Sequence, residues 1–331
     1  MSPAPPFCAA AQPSGRDDAA WVMVLTTLGA IFLLQMLDSF SLSSDGLAVP
    51  AAFAAILGMV AAFYRRYRSA PAIVAMTVAL QQMTLFSALG AILSYMMAAR
   101  GGAPWDGRIA GWDAALGFDW PAALHWLDRH ALLAAPLKAA YETLMPQMAA
   151  LVVALGVGGR LAALRTAVLA AMLSGLAAIL LSAVMPAMGA YMHFGVQPGD
   201  YPHLWPATAL VHVHDLQGLR DGALRTLSLA TMQGIITFPS YHAALATIFG
   251  WGFSRASRRW IGWPGMAVAG LTLLSTPLDG GHYLSDVLAG CAIASISLWI
   301  ASRAIHLDLA GTKALAPMSA VLEPEAVGLR S

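Results

Sequence analysis

The chain has 331 residues, 59% of them hydrophobic and only 11% charged, with a formal net charge of +1. Soluble domains carry about 25% charged residues, so this composition excludes an ordinary water-soluble globule, a disordered chain and a fibre. The near-neutral balance gives no electrostatic case for nucleic acid as a partner, and two cysteines, Cys8 and Cys291, exclude a disulfide framework or a Cys-rich metal site.

Residues 1–18 contain proline and lack a basic region ahead of a short apolar core. They read as a cytoplasmic tail and not as a cleaved leader. A spanning helix needs roughly 17–25 apolar residues. Charge-free runs of that order follow at 19–37, 46–64, 69–99, 143–159, 166–199, 226–254 and 260–278, with a shorter one at 287–302. The expected fold is an all-α polytopic membrane helix bundle of about eight transmembrane helices. A single transmembrane domain covers 19–303, and 304–331 form a second cytoplasmic tail.

Three short loops carry the positive charge: Arg65, Arg66 and Arg68; Arg160 and Arg165; Arg255, Arg258 and Arg259. Eight crossings place all three on one side, which the positive-inside rule makes the cytoplasmic face of a plasma or inner membrane. The long segments near 100–142 and 195–225 then face outward. They hold Trp105, Trp112, Trp120, Trp126 and Trp205, and stretches such as 119–137 suit interfacial helices serving as an aromatic belt or as a substrate lid.

Two polar clusters open the sixth and eighth runs, residues 234–242 and 275–286, and the topology puts both at one membrane face. Pro239 suits a helix start, so the amides of Ser240 and Tyr241 and the Ser240 hydroxyl form an anion site. His282 and Asp286 stand at i and i+4. A carboxylate there fixes the imidazole tautomer and leaves the other nitrogen as nucleophile or base. His242 supplies a second imidazole for the leaving group. The run His212-Val-His214-Asp215 lacks further ligands at metal-site spacing, and no metal or other cofactor is expected.

These residues resemble the type 2 phosphatidic acid phosphatase superfamily, whose signatures are Lys-x6-Arg-Pro, Pro-Ser-Gly-His and Ser-Arg-x5-His-x3-Asp. Here the second is Pro239-Ser240-Tyr241-His242. The third is Ser275-Thr276, five residues, His282, three residues, Asp286. The first is Lys138, six residues, Met145-Pro146. The stretches FPSYHAA and HYLSDVLAG, with Leu219-Arg220-Asp221-Gly222 upstream, look most like the inositolphosphotransferase-like branch that includes inositol phosphorylceramide synthases.

The resemblance covers about 140–302 and implies a six-helix catalytic core, leaving the first three spans unmatched. It implies a phosphohistidine on His282, oriented by Asp286, with His242 as acid and base. Ser240, Tyr241, Lys138 and Arg220 would hold the phosphate, the last two in place of the missing motif arginines. The implied substrate is a lipid phosphate or phospholipid at the extracytoplasmic face, the acceptor being water or another hydroxyl. Two rival readings are a transporter using the intramembrane Asp and His, and a catalytically silent lipid-binding relative. The sequence sets no oligomeric state.

Overall fold

The computed structural model describes residues 18–197, 199–202, 204 and 211–319. Cys8, His203 and Trp205 lie outside the described residues. The chain is an all-α polytopic membrane bundle. Three helices come first: α1 (Asp18–Leu37), α2 (Ala48–Phe63) continuing through a π-helical turn (Tyr64–Arg68), and α3 (Pro71–Ala98). Four follow in the first long loop and the next span: α4 (Asp106–Ala115), α5 (Trp120–Asp128), α6 (Ala131–Glu142) and α7 (Leu144–Val157). The remainder are α8 (Leu161–Val184), α9 (Ala190–His193), α10 (Val211–Asp221), α11 (Tyr241–Ser254), α12 (Arg259–Asp279) and α13 (Leu284–Ser319). A short parallel pair joins β1 (Ser41–Leu42) to β2 (Thr226–Leu227).

Among the described residues six helices are long and apolar enough to cross a membrane, and the α6–α7 pair, bent by 62°, makes a seventh if taken as one span. The difference from eight has a local cause in two short elements. Helices α7 and α11 have 14 residues each, about 21 Å at 1.5 Å per residue against a hydrocarbon core of about 30 Å. The run 226–254 is helical only from Tyr241, because Ser240 caps the helix by accepting from the Ala243 amide at 3.3 Å. Pro239 therefore precedes the cap and does not occupy the first turn. At the bend, Pro146 has no amide to bond back into the preceding turn, and the Thr143 hydroxyl donates to the Ala139 carbonyl at 2.7 Å. At the other end α13 continues to Ser319, into the stretch expected to be a loose tail.

The main core lies where α3, α7, α8, α11 and α13 meet, filled by Met83, Phe86, Leu155, Met172, Ile248, Phe249 and Ala294. Helix α13 crosses the start of α11 at Gly290, where an added Cβ would sit 2.2 Å from the Ser240 carbonyl oxygen. Only glycine permits that approach. It lets the Ser240 amide donate to the Asp286 carbonyl at 3.1 Å, and so brings the two polar clusters together.

Candidate active site

His282 lies in the turn between α12 and α13, 5% exposed, and Asp286 stands fully buried one helical turn on. Asp286 Oδ2 pairs with His282 Nδ1 at 3.2 Å and accepts from the Tyr283 amide at 3.0 Å. In the tautomer that directs the Nδ1 proton at the carboxylate, Nε2 keeps the lone pair. Burial pushes the His282 imidazole down to about 4, with the Thr237 backbone acting in the other direction. Burial therefore favours the neutral ring.

His242, on the first turn of α11, faces this ring with centroids 6.5 Å apart and stacks flat on Tyr141 at 4.4 Å and 11°. Tyr141 comes from α6, so the bend between α6 and α7 serves to fix His242. The two histidines and Asp286 thus form one cluster at one end of the bundle.

The expected phosphate-holding residues are placed less uniformly. The Ser240 hydroxyl is buried at the helix cap, and its amide is engaged by the Asp286 carbonyl. The Tyr241 ring turns into the bundle, its hydroxyl donating to the Ala171 carbonyl at 3.0 Å. Lys138 pairs with Glu142 at 3.7 Å on the flank of α6, with 36% of its side chain exposed. Arg220, on α10, differs: its Nε and Nη2 are buried without a hydrogen-bond partner. Burial lowers its guanidinium pKa and nearby Asp106 opposes the shift. A buried donor pair of that kind is costly unless an acceptor completes it. Where the family signatures carry arginine, Met145 is 52% exposed and Thr276 is fully buried, its hydroxyl donating to the Thr272 carbonyl at 2.6 Å.

Several residues that position the site are not apparent from the motifs. Two carboxylates seven residues apart on α4 grip the turn that carries His282. Asp106 accepts from the Tyr283 hydroxyl at 3.0 Å and from the Met188 and Gly189 amides. Asp113 accepts from the Leu284 and Ser285 amides, each at 2.8 Å, which caps the start of α13. Trp120 of α5 is 1% exposed and donates its indole N–H to the carbonyls of Pro277 and His282. Tyr191 of α9 donates to the Leu278 carbonyl at 2.8 Å. The segment carrying α4 and α5 is thus neither a simple aromatic belt nor only a cover, since it builds the wall behind His282. The i, i+7 spacing of Asp106 and Asp113, which puts two acids on one helix face, is the sequence signal for it.

In the run 212–215, His214 Nδ1 lies 3.6 Å from Asp215, while His212 is engaged elsewhere. His212 Nε2 lies 3.1 Å from the Met188 carbonyl, the His214 side chain is 97% exposed, and Asp215 accepts from the Tyr95 hydroxyl at 2.6 Å. Among the described residues no group of three or more His, Cys, Asp or Glu side chains could hold a metal ion.

Residues 107–300, more than half of the chain, match the family model of the PAP2 superfamily. The match begins upstream of residue 140, where the motifs alone place the family-like region, and so takes in most of α4 and all of α5 and α6. Helices α1–α3 fall outside it. No curated protein and no solved structure matches the chain.

Proposed function

The chain belongs to the PAP2 superfamily, and we propose from that premise that it transfers a lipid-borne phosphoryl group through a phosphohistidine on His282. A lipid-phosphatase-type function follows from family membership; the residue roles are our reading of the site. The observation that carries it is the His282–Asp286 pair at 3.2 Å with His242 facing it across 6.5 Å between ring centroids. In the first step His282 Nε2 forms a bond to phosphorus, the bond from phosphorus to the leaving alcohol oxygen breaks, and His242 gives that oxygen its proton. In the second, His242 takes a proton from water or an acceptor hydroxyl as its oxygen attacks phosphorus and the P–N bond breaks.

Arg220 is our first choice for neutralising the phosphate, since its unpartnered nitrogens are ready to donate. Lys138, already paired with Glu142, is the weaker candidate. In this reading His282, His242 and Arg220 serve as nucleophile, acid and phosphate cation. The inositolphosphotransferase-like motifs favour transfer to a polyol or lipid hydroxyl, and water as acceptor is the second reading. A panel of lipid phosphates and phospholipids, assayed for free phosphate and new lipid species together, separates the two. Phosphate release alone would discard the transferase reading. No turnover of any phosphoester would favour a silent lipid-binding relative.

A further inference from the structure

Two clefts lie at the end of the bundle remote from His282 and take no part in the chemistry above. The larger, about 580 Å³, opens between the start of α8, the end of α11 and the face of α13 that carries Leu298, Trp299, Ser302 and His306. The second, about 480 Å³, adjoins it through Ala162, Ala163 and Arg255 and adds Arg160. Both volumes fall within the usual range of ligand sites, roughly 300–1,000 Å³.

Among the described residues no acidic side chain lines either cleft. The Arg255 guanidinium lies over the Trp251 ring at 5.3 Å, which holds it at the mouth. Among the described residues neither Arg255 nor Arg160 has an ion-pair partner. Two cations without a counter-charge, one of them held over an indole ring, beside a space of this size call for an anion.

The rest of the lining says what kind of anion. Toward the bilayer centre from Arg255 the wall becomes apolar, with Leu298 buried and Trp299 61% exposed. The same stretch of α13 goes on with Ile296 at 58% exposed and Ile300 at 42%. Hydroxyls of Ser295 and Ser302 stand along it. A cationic end followed by an apolar strip on a membrane-facing surface matches an anionic lipid, head-group phosphate first and acyl chain after it. A free inorganic anion would have no use for the strip.

We propose that this paired cleft binds the head group of an anionic phospholipid, its phosphate between Arg255 and Arg160 and one acyl chain along Trp299. The site is separate from the catalytic one, yet it joins the same two helices. Arg255 and Trp299 each lie thirteen residues beyond His242 and Asp286 respectively, roughly 20 Å at 1.5 Å per residue. A lipid seated there ties α8, α11 and α13 together at the end where the catalytic turn does not.

The test uses the full chain in phosphatidylcholine nanodiscs, with or without a minor fraction of phosphatidylglycerol. Phosphatidylglycerol should raise the thermal midpoint and survive as a bound adduct in native mass spectrometry. In the Arg160→Gln/Arg255→Gln double variant its affinity should fall roughly tenfold or more, two head-group cations having been removed. An unchanged adduct and midpoint shift in the double variant would overturn the proposal. So would an equal shift from inorganic phosphate alone. Should the double variant fail to fold in phosphatidylcholine, brominated phosphatidylglycerol decides with the intact chain. Stronger tryptophan quenching in wild type than in Trp299→Phe supports the site, and equal quenching refutes it.

Discussion

Asp286 accepts from His282 on one side and from the Tyr283 amide on the other, so the carboxylate is itself held while it holds the imidazole. Asp286→Asn keeps the shape but loses the preferred tautomer, and should lower kcat by roughly a hundredfold or more in a protein that still folds. His282→Ala removes the proposed nucleophile and should cost several orders of magnitude. Steady-state rates of variants matched for thermal midpoint measure both. The buried ring also makes a pH prediction. With its pKa lowered to about 4, His282 stays unprotonated from neutrality down past pH 5 and gains its proton only as pH falls through about 4. Its nitrogen-15 shifts should therefore be flat between pH 7.5 and 5.5. A midpoint near 6.5, the ordinary histidine value, would mean that the ring is solvated.

At the level of elements, the carboxylates of α4 decide whether the catalytic turn keeps its form. Asp113→Ala strands the Leu284 and Ser285 amides at the start of α13 and should cost about 1–2 kcal/mol, as for other lost helix caps. It should also reduce kcat, because His282 lies two residues upstream. Gly290→Val should be worse, since any side chain there meets the Ser240 carbonyl. Thermal unfolding in detergent ranks the two. The His282–Asp286 pair was legible from its spacing, because an i, i+4 pair at a helix start is a local feature. The grip of α4 was not, because Asp113 reaches Leu284 across 171 residues. The shortness of α11 was hidden too, since apolar composition alone does not show where Ser240 caps the helix.

Across the whole molecule, helices α1–α3 stand outside the family match yet hold part of the site in place. The Tyr95 hydroxyl of α3 donates to Asp215 of α10 at 2.6 Å and accepts from the Gln233 amide at 2.7 Å. The β1–β2 pair ties the α1–α2 loop to the segment after α10. This bracing fixes α10, and with it Arg220. Tyr95→Phe should raise KM for a phosphate-bearing lipid several-fold while changing kcat less, and Arg220→Met should raise it more, by roughly tenfold to a hundredfold. Orientation has its own check. In a chain with Cys8 and Cys291 replaced by serine, a cysteine at Ala115 should react with an impermeant thiol reagent in intact cells, and one at Ser257 should not. The reverse pattern would put the chemistry in the cytoplasm.

The covalent intermediate is the most direct test of all. Purified protein mixed with a phosphorus-labelled lipid phosphate and quenched in alkaline denaturant should carry label that is stable to base and released by acid, as a phosphohistidine is. The label should appear within one turnover in wild type and be absent from His282→Ala. Label retained on His282→Ala, or wild-type turnover with no labelled protein at any time, would contradict the mechanism.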